Sequence, residues 1–311
     1  MKRILALLLV SVCLFGLLSC GAGDGGRADG VAVTDVFGNT VKLRADARVV
    51  GCYASFAECW LLAGGELVGV TSDAFDEGRV EKSDGLETVG SVKEIDLERI
   101  VRLAPDYVIL SADLAAHRAL EGNLKQLGIA YGYFRVDTFS DYAELMAQFC
   151  AVTGRDDLYA ENVTRVGANI ENILSRVPKN SGKSVLLMRA YSSGVKAKTD
   201  DNLAGIILSE FGLINIADEV SSLLEELSLE HIIRRDPDYI IVLTMGSEDS
   251  ALTFLRENFE SNPAWSGLSA VKNGNFRVLP KDLFHYKPNE RWDESYEYLA
   301  KTVFPELFGE R

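Results

Sequence analysis

The chain has 311 residues, 47% of them hydrophobic and 25% charged, and its 46 acidic against 32 basic side chains leave a formal charge of −14. This is a globular composition, long enough for one large or two medium domains. So acidic a chain is poorly suited to a phosphate backbone, and nucleic acid is excluded as an expected partner.

Lys2 and Arg3 precede an apolar run from Ile4 to Leu18, too short and wrongly flanked for a spanning helix and suited to a signal-peptide core, placed at residues 1–19. It ends in Leu17-Leu18-Ser19-Cys20-Gly21, which resembles the bacterial lipobox. The resemblance implies acylation of Cys20 and a membrane partner reached through that lipid anchor. Residues 20–30 follow as a lipidated tether. Gly21-Ala22-Gly23-Asp24-Gly25-Gly26 spells G-x-G-x-x-G, but no strand precedes it and no helix follows, so it is not a dinucleotide fingerprint. No later stretch approaches the length of a membrane span.

Val31 to Leu43 alternates and turns at Gly38-Asn39, as a hairpin does. Arg48 to Gly51 reads as a strand, Ser55 to Leu62 as a helix, and Leu67 to Val70 as a strand again. This alternation argues for an α/β domain with a mostly parallel sheet. Cys52, Cys59 and Cys150 are the cysteines beyond the signal and lipid positions. They allow one disulfide at most, and Cys52 and Cys59 read as small buried hydrophobes.

Residues 97–110, Leu-Glu-Arg-Ile-Val-Arg-Leu-Ala-Pro-Asp-Tyr-Val-Ile-Leu, recur 132 positions later as Leu-Glu-His-Ile-Ile-Arg-Arg-Asp-Pro-Asp-Tyr-Ile-Ile-Val, with eight of fourteen positions identical. Each copy is a short helix, a Pro-Asp break and a buried strand. One copy in each half points to two lobes of similar build, at residues 31–154 and 180–311. Between them, Leu158, Val163, Val166, Ile170, Leu174 and Val177 fall at helical spacing up to Pro178. The connecting helix is therefore expected over 155–179, a rod of roughly 35 Å. The expected fold is α/β, two Rossmann-like lobes joined by a single long backbone helix.

These pieces resemble the helical-backbone class of ABC-importer binding proteins, whose members carry ferric siderophores, haem or cobalamin. The resemblance covers nearly the whole chain after the signal. Val33 to Val41 is similar to the family's opening hairpin, and Val89-Gly90-Ser91 with Leu97-Glu98 to its pre-helix loop and docking glutamate. Asn262-Pro263-Ala264-Trp265, Val271-Lys272-Asn273-Gly274 and Val278-Leu279-Pro280 resemble its C-terminal signature. The resemblance implies a monomeric extracytoplasmic lipoprotein, in a periplasm or at a cell surface, that passes a metal chelate to an ABC-importer permease, a ferric siderophore first and haem or cobalamin next. It also implies that Glu98 and Glu230, at matching places in the repeats, dock on that permease, a two-point contact that would fix orientation. Read without the family, each is a solvated glutamate favoured by a helix dipole.

Ligands of doubly wound lobes sit outside the carboxyl ends of the strands. The loops expected there are 51–56, 72–75, 91–93, 189–198, 245–247 and 284–292. They make Tyr53, Phe56, Ser91, Lys93, Arg189, Tyr191, His285, Tyr286, Lys287 and Arg291 the candidate ligand-binding residues, with Lys196, Lys198 and Trp292 near them. Cations gathered at strand ends of an acidic chain suit an anionic ligand, and aromatics suit a chelate's organic frame. Lys93, Lys196 and Lys198 serve equally as solvated surface. No protein cofactor or metal site is expected: His117, His231 and His285 are scattered and form no His-x-x-x-His pair. If the cargo is haem, His285 or a tyrosine is an alternative axial ligand.

An enzyme is not expected. Ser193-Gly194-Val195-Lys196 spells S-x-x-K without its companion signatures, and there is no G-x-S-x-G, phosphate loop or paired-cysteine motif. The alternatives are a lipid-anchored haem-binding or sensing protein without a permease, and a secreted enzyme of similar architecture.

Overall fold

The structure, a computed structural model, describes residues 30–218 and 228–309. The expected signal segment, Cys20 and nearly all of the tether lie outside the described residues.

Strands Val31–Thr34 (β1) and Thr40–Leu43 (β2) pair antiparallel, as their alternation predicts. Asp35 builds the turn: its Oδ1 accepts the backbone N–H groups of Phe37 and Asn39 at 2.9 Å. Its other oxygen accepts the Tyr133 N–H at 3.2 Å and ties the hairpin to the first lobe.

The first lobe is a parallel sheet of Val49–Gly51 (β3), Leu67–Val70 (β4), Glu87–Thr88 (β5), Tyr107–Ser111 (β6) and Tyr131–Phe134 (β7), in the order β5-β4-β3-β6-β7. The order reverses between β3 and β6, so their carboxyl ends open a crevice. The second lobe contains Ser184–Tyr191 (β8), Gly194–Ala197 (β9), Ile214–Asn215 (β10), Tyr239–Thr244 (β11) and Phe276–Val278 (β12). They run β10-β8-β11-β12 in parallel, with β9 antiparallel on β8. The central strands β6 and β11 are buried at every position, which explains their unbroken apolar sequence. Residues 189–198, expected as a loop, are mostly a hairpin. Strand β8 runs on through Tyr191, and β9 returns beside it with Lys196 opposite Arg189; the ladder hydrogen bonds extend the strand past the point where its apolar run ends.

The sequence repeat is a structural repeat. Helices Leu97–Leu103 and Leu229–Arg235 both end on a left-handed residue that is not glycine, Ala104 (φ 46°) and Asp236 (φ 43°), and each then leads into its buried strand. Each helix precedes a strand of a parallel sheet and so runs antiparallel to it, which turns its N-terminus to the sheet's carboxyl edge.

Between the lobes the chain stays helical from Asp156–Tyr159 through a π-turn at Ala160–Thr164 to Arg165–Arg176. The wide turn frees the Asn162 carbonyl, which accepts the Tyr142 hydroxyl, while the Asn162 amide donates to the Leu62 carbonyl at 3.0 Å. Val177 is extended, as the residue before Pro178 must be, so the helix stops at Arg176. The last long helix, Trp292–Val303, packs along Arg165–Arg176. Through these helices one apolar cluster runs without a break from Val33, Trp60 and Tyr107 of the first lobe to Leu187, Ile241 and Leu299 of the second. Cys52, Cys59 and Cys150 are buried and free.

Candidate functional site

The crevice faces are built from the turns that follow β3, β4, β5, β8, β11 and β12. On the first lobe, Tyr53 precedes helix Ala54–Leu62, whose first N–H is received by Asp73 Oδ2 at 2.9 Å. Burial, reinforced by the charges of Glu77, Asp73 and Asp113, pushes the Tyr53 hydroxyl up to about 12, so it remains a hydrogen-bond donor at neutral pH. Ser91 closes a tight turn: its hydroxyl and backbone N–H meet the N–H and carbonyl of Glu94 at 3.1 and 3.0 Å. Gly90, at φ 95°, has no room for a Cβ, which would stand 2.3 Å from the Glu94 carbonyl. Lys93 projects from this turn and is exposed. Buried His117 braces it, with Nδ1 accepting from the Ser111 N–H and Nε2 facing the Val92 carbonyl, both at 2.9 Å. Burial holds that imidazole's affinity for a proton below the usual value.

On the second lobe Arg189 lies in the outer half of β8, and Lys281 donates to the Gly246 carbonyl at 2.6 Å in the turn after β11. His285 follows helix Lys281–Phe284 and packs its ring 5.0 Å from that of Tyr286. Burial, then the charges of Lys281 and Arg189, depress the His285 pKa to about 4. It is therefore a neutral imidazole among cations. Arg189 and Lys281 both act on His285, so the three form one cationic, donor-rich cluster; on the first lobe Tyr53 is surrounded by Glu77, Asp73 and Asp113.

Not every candidate meets the crevice. Phe56 is 2% exposed and packs on Phe134 with ring centroids 6.3 Å apart, so it belongs to the core. Trp292, expected in a cleft loop, is buried as the first residue of helix Trp292–Val303, 6.1 Å from the Phe139 ring. The reason is that an aromatic beginning an amphipathic helix faces the shared core. Arg291 is held by Asp282 and Glu294 at 3.1 and 2.8 Å. Lys198 turns to Asp201. Tyr191 ends β8 opposite Gly194.

Lys287 reaches the first lobe, with Nζ 3.2 Å from Asp137 Oδ1. Its carbonyl accepts from Arg79 Nη2 at 2.6 Å. Arg79 also pairs with Glu58 and, at 3.6 Å, with Glu77. Beside it Asn289, left-handed at φ 51° and 1% exposed, donates to the Ser55 carbonyl at 2.9 Å and to Glu58. A cavity of about 130 Å³ lies here, lined by Glu58, Glu77, Arg79, Tyr286, Glu290 and Arg291 among others. Glu58 stood out in the sequence only as part of the strand-helix-strand segment from Arg48 to Val70 that resembles the family's, and Glu77, Arg79 and Asn289 did not stand out at all. The only signal is a single arginine in the acidic stretch 73–84 with no nearby hydrophobic period to assign it to a face.

Glu98 and Glu230 are exposed, each the second residue of its helix. Glu230 is 3.0 Å from Arg234 one turn on. Among the described residues no group of three or more His, Cys, Asp or Glu could hold a metal ion, and no helix is long and apolar enough to cross a membrane.

Residues 49–283 match the sequence pattern of the periplasmic binding protein family. The chain is similar to the Fe(3+)-citrate-binding protein YfmC of Bacillus subtilis, 25% identical over 310 residues that span 98% of this chain and 95% of that one. Among solved structures, a TroA-like periplasmic binding protein, FepB from Veillonella parvula, superposes with a TM-score of 0.70 at 19% identity, covering 89% of this chain and 91% of its own. An iron uptake ABC transporter substrate-binding protein, PiuA from Streptococcus pneumoniae, gives a TM-score of 0.69 at 18% identity, over 91% and 100%.

Proposed function

Because the chain belongs to the periplasmic binding protein family, in its helical-backbone, TroA-like class, we propose that it binds an iron chelate between its lobes and delivers it to an ABC importer. It is a solute-binding protein and not an enzyme. The observation that carries the cargo reading is the Arg189–Lys281–His285 face, cationic in a chain of net charge −14. A ferric complex with carboxylate or catecholate groups is anionic and suits that face, with Tyr53 and Tyr286 as phenolic donors to its oxygens. The similarity to a ferric-citrate-binding protein along nearly the whole chain supports the same class. Haem, with His285 as an axial ligand, ranks second and cobalamin third.

In this reading Glu98 and Glu230 meet the permease. Both are exposed, both begin helices whose N-termini lie at the carboxyl edge, and they belong to opposite lobes. Acylation at Cys20 would keep the protein beside its transporter.

Intrinsic fluorescence of Trp60, Trp265 and Trp292, titrated with ferric citrate, ferric catecholate and hydroxamate siderophores, haemin and cobalamin, tests the proposal. Saturable sub-micromolar quenching by one ferric chelate supports it. Saturation by haemin alone favours the second reading, and no response to any of them removes metal chelates from consideration.

A further inference from the structure

The crevice loop His285–Lys287 belongs to the second lobe, yet its backbone is held by the first. Arg79 makes that contact, donating to the Lys287 carbonyl at 2.6 Å while its guanidinium lies 6.0 Å from the centre of the Tyr286 ring. Its side chain is only 9% exposed. One guanidinium thus touches the backbone of one candidate ligand residue and the ring of another, without itself being one of the crevice cations.

We propose that Arg79 is the positioning residue of the ligand cleft, fixing the 285–287 loop on the opposite lobe, and that a proton held among its carboxylate partners sets how firmly the loop is held. This rests on the reading of that loop as part of the ligand site.

The cluster's charges do not balance. Glu58, Glu77, Asp282 and Glu290 line the cavity with only Arg79 and Arg291 to oppose them, and Arg291 is shared with Glu294 outside the lining. Glu290 Oε2 is buried without a hydrogen-bond partner. The groups facing Glu77 are Asp73 and Arg79 of its own segment, Tyr53 just before and Glu58 within helix Ala54–Leu62, and Tyr286 of the loop. Across the cavity stand Asp282, Glu290 and Arg291. Burial raises the Glu77 carboxyl to about 7, Arg79 opposing and Asp73 and Glu58 adding to the rise. Burial and Glu58 raise Glu290 as well.

The sign follows from linkage. A carboxyl whose folded pKa exceeds its unfolded value stabilises the folded arrangement below the unfolded value, and that contribution is lost as pH rises through the folded one. Above about pH 7 Glu77 adds a negative charge beside Glu58 and Asp73, and separating the loop from the first lobe relieves it by admitting water. Below that pH the neutral carboxyl lets Arg79 serve Glu58 and the Lys287 carbonyl without the extra charge. Docking of the loop therefore takes up a proton, and opening releases it.

Hydrogen exchange read by mass spectrometry tests this without any ligand. The His285 and Tyr286 N–H groups both donate to the Lys281 carbonyl, at 2.9 and 3.0 Å, and report the loop. The expected result is that R79Q lowers protection of 284–288 about tenfold or more while β3 and β6 keep theirs, because the local opening rises and the global one does not. R79K should fail to restore it, since one ammonium cannot reproduce the planar fork. Wild-type loop protection, corrected for intrinsic exchange, should be higher at pH 6 than at pH 8, and E77Q should show the same protection at both. Unchanged loop protection in R79Q, an equal loss in β3 and β6, or a pH difference that survives in E77Q would each overturn the proposal. Ferric citrate titrations of the same variants separate the two readings. If the wild type does not bind it, that cargo fails, while the exchange data still decide the role of Arg79.

Discussion

Asp236 and Ser269 share two hydrogen bonds of 2.7 Å, the carboxylate accepting from both the backbone N–H and the hydroxyl. Asp236 is the left-handed residue that closes the second repeat helix, and its counterpart Ala104 closes the first with only a methyl group. The same backbone strain is thus compensated in one lobe and bare in the other. Ala104→Gly should stabilise the protein by about 0.5–1 kcal/mol, the left-handed cost removed less the unfolded-chain entropy that glycine adds. Asp236→Gly removes the same strain together with the Ser269 contacts, and a net loss of about 1 kcal/mol is expected. Denaturant unfolding of both variants measures the difference in sign.

Charge reversal at Glu98 and Glu230 together should abolish chelate uptake by cells that depend on this protein. Affinity of the purified protein for the chelate should stay within about twofold, because exposed charges act on encounter and docking more than on a remote pocket. Undiminished uptake by the double variant would remove these residues from the docking surface.

His285 has a pH signature. Its folded pKa is about 4, below the usual histidine value of about 6.5. Below about pH 6.5 the unfolded chain takes up a proton that the folded imidazole refuses. The neutral ring therefore contributes stability that is complete above that pH and is lost as pH falls towards 4. His285→Gln should flatten this limb of the melting-temperature profile between pH 6.5 and 4. A limb as steep as that of the wild type would assign the acid sensitivity elsewhere.

Cys52, Cys59 and Cys150 are buried, and burial pushes all three thiols above the ordinary value, Cys150 to about 11. Since the thiolate is the reactive form, native protein should react with a disulfide reagent slower by orders of magnitude than unfolded protein, at a rate that follows global opening. Fast reaction of any one of them in the native state would contradict its burial.

Much of the architecture was legible in the chain. The recurrence of Leu97-Glu98 as Leu229-Glu230 marked two lobes, and the spacing from Leu158 to Leu174 marked the helix between them, because local period and repeated units are written in consecutive residues. A change of surroundings along a strand was legible where its apolar run gives way to a charge, as at Arg189, although the strand itself runs on to Tyr191. What remained hidden depends on contacts between distant residues. Asn289 meets Ser55 across 234 positions and Arg79 meets Lys287 across 208, and neither belongs to a pattern that a window along the chain can reveal. Phe56 and Trp292 misled for the opposite reason. Each stands beside a loop in sequence, yet its ring turns into the core that both lobes share.

That shared core limits how such a protein can be recombined. The cluster reaching from Val33 to Phe304 has no seam at the boundary between the halves. Exchanging one half for that of a relative would bring together two surfaces shaped by different histories, with Phe139 and Trp292 on opposite sides of the join. Cargo preference should therefore change by substitutions within the crevice, and a chimera of whole lobes should fail at folding before its specificity can be read.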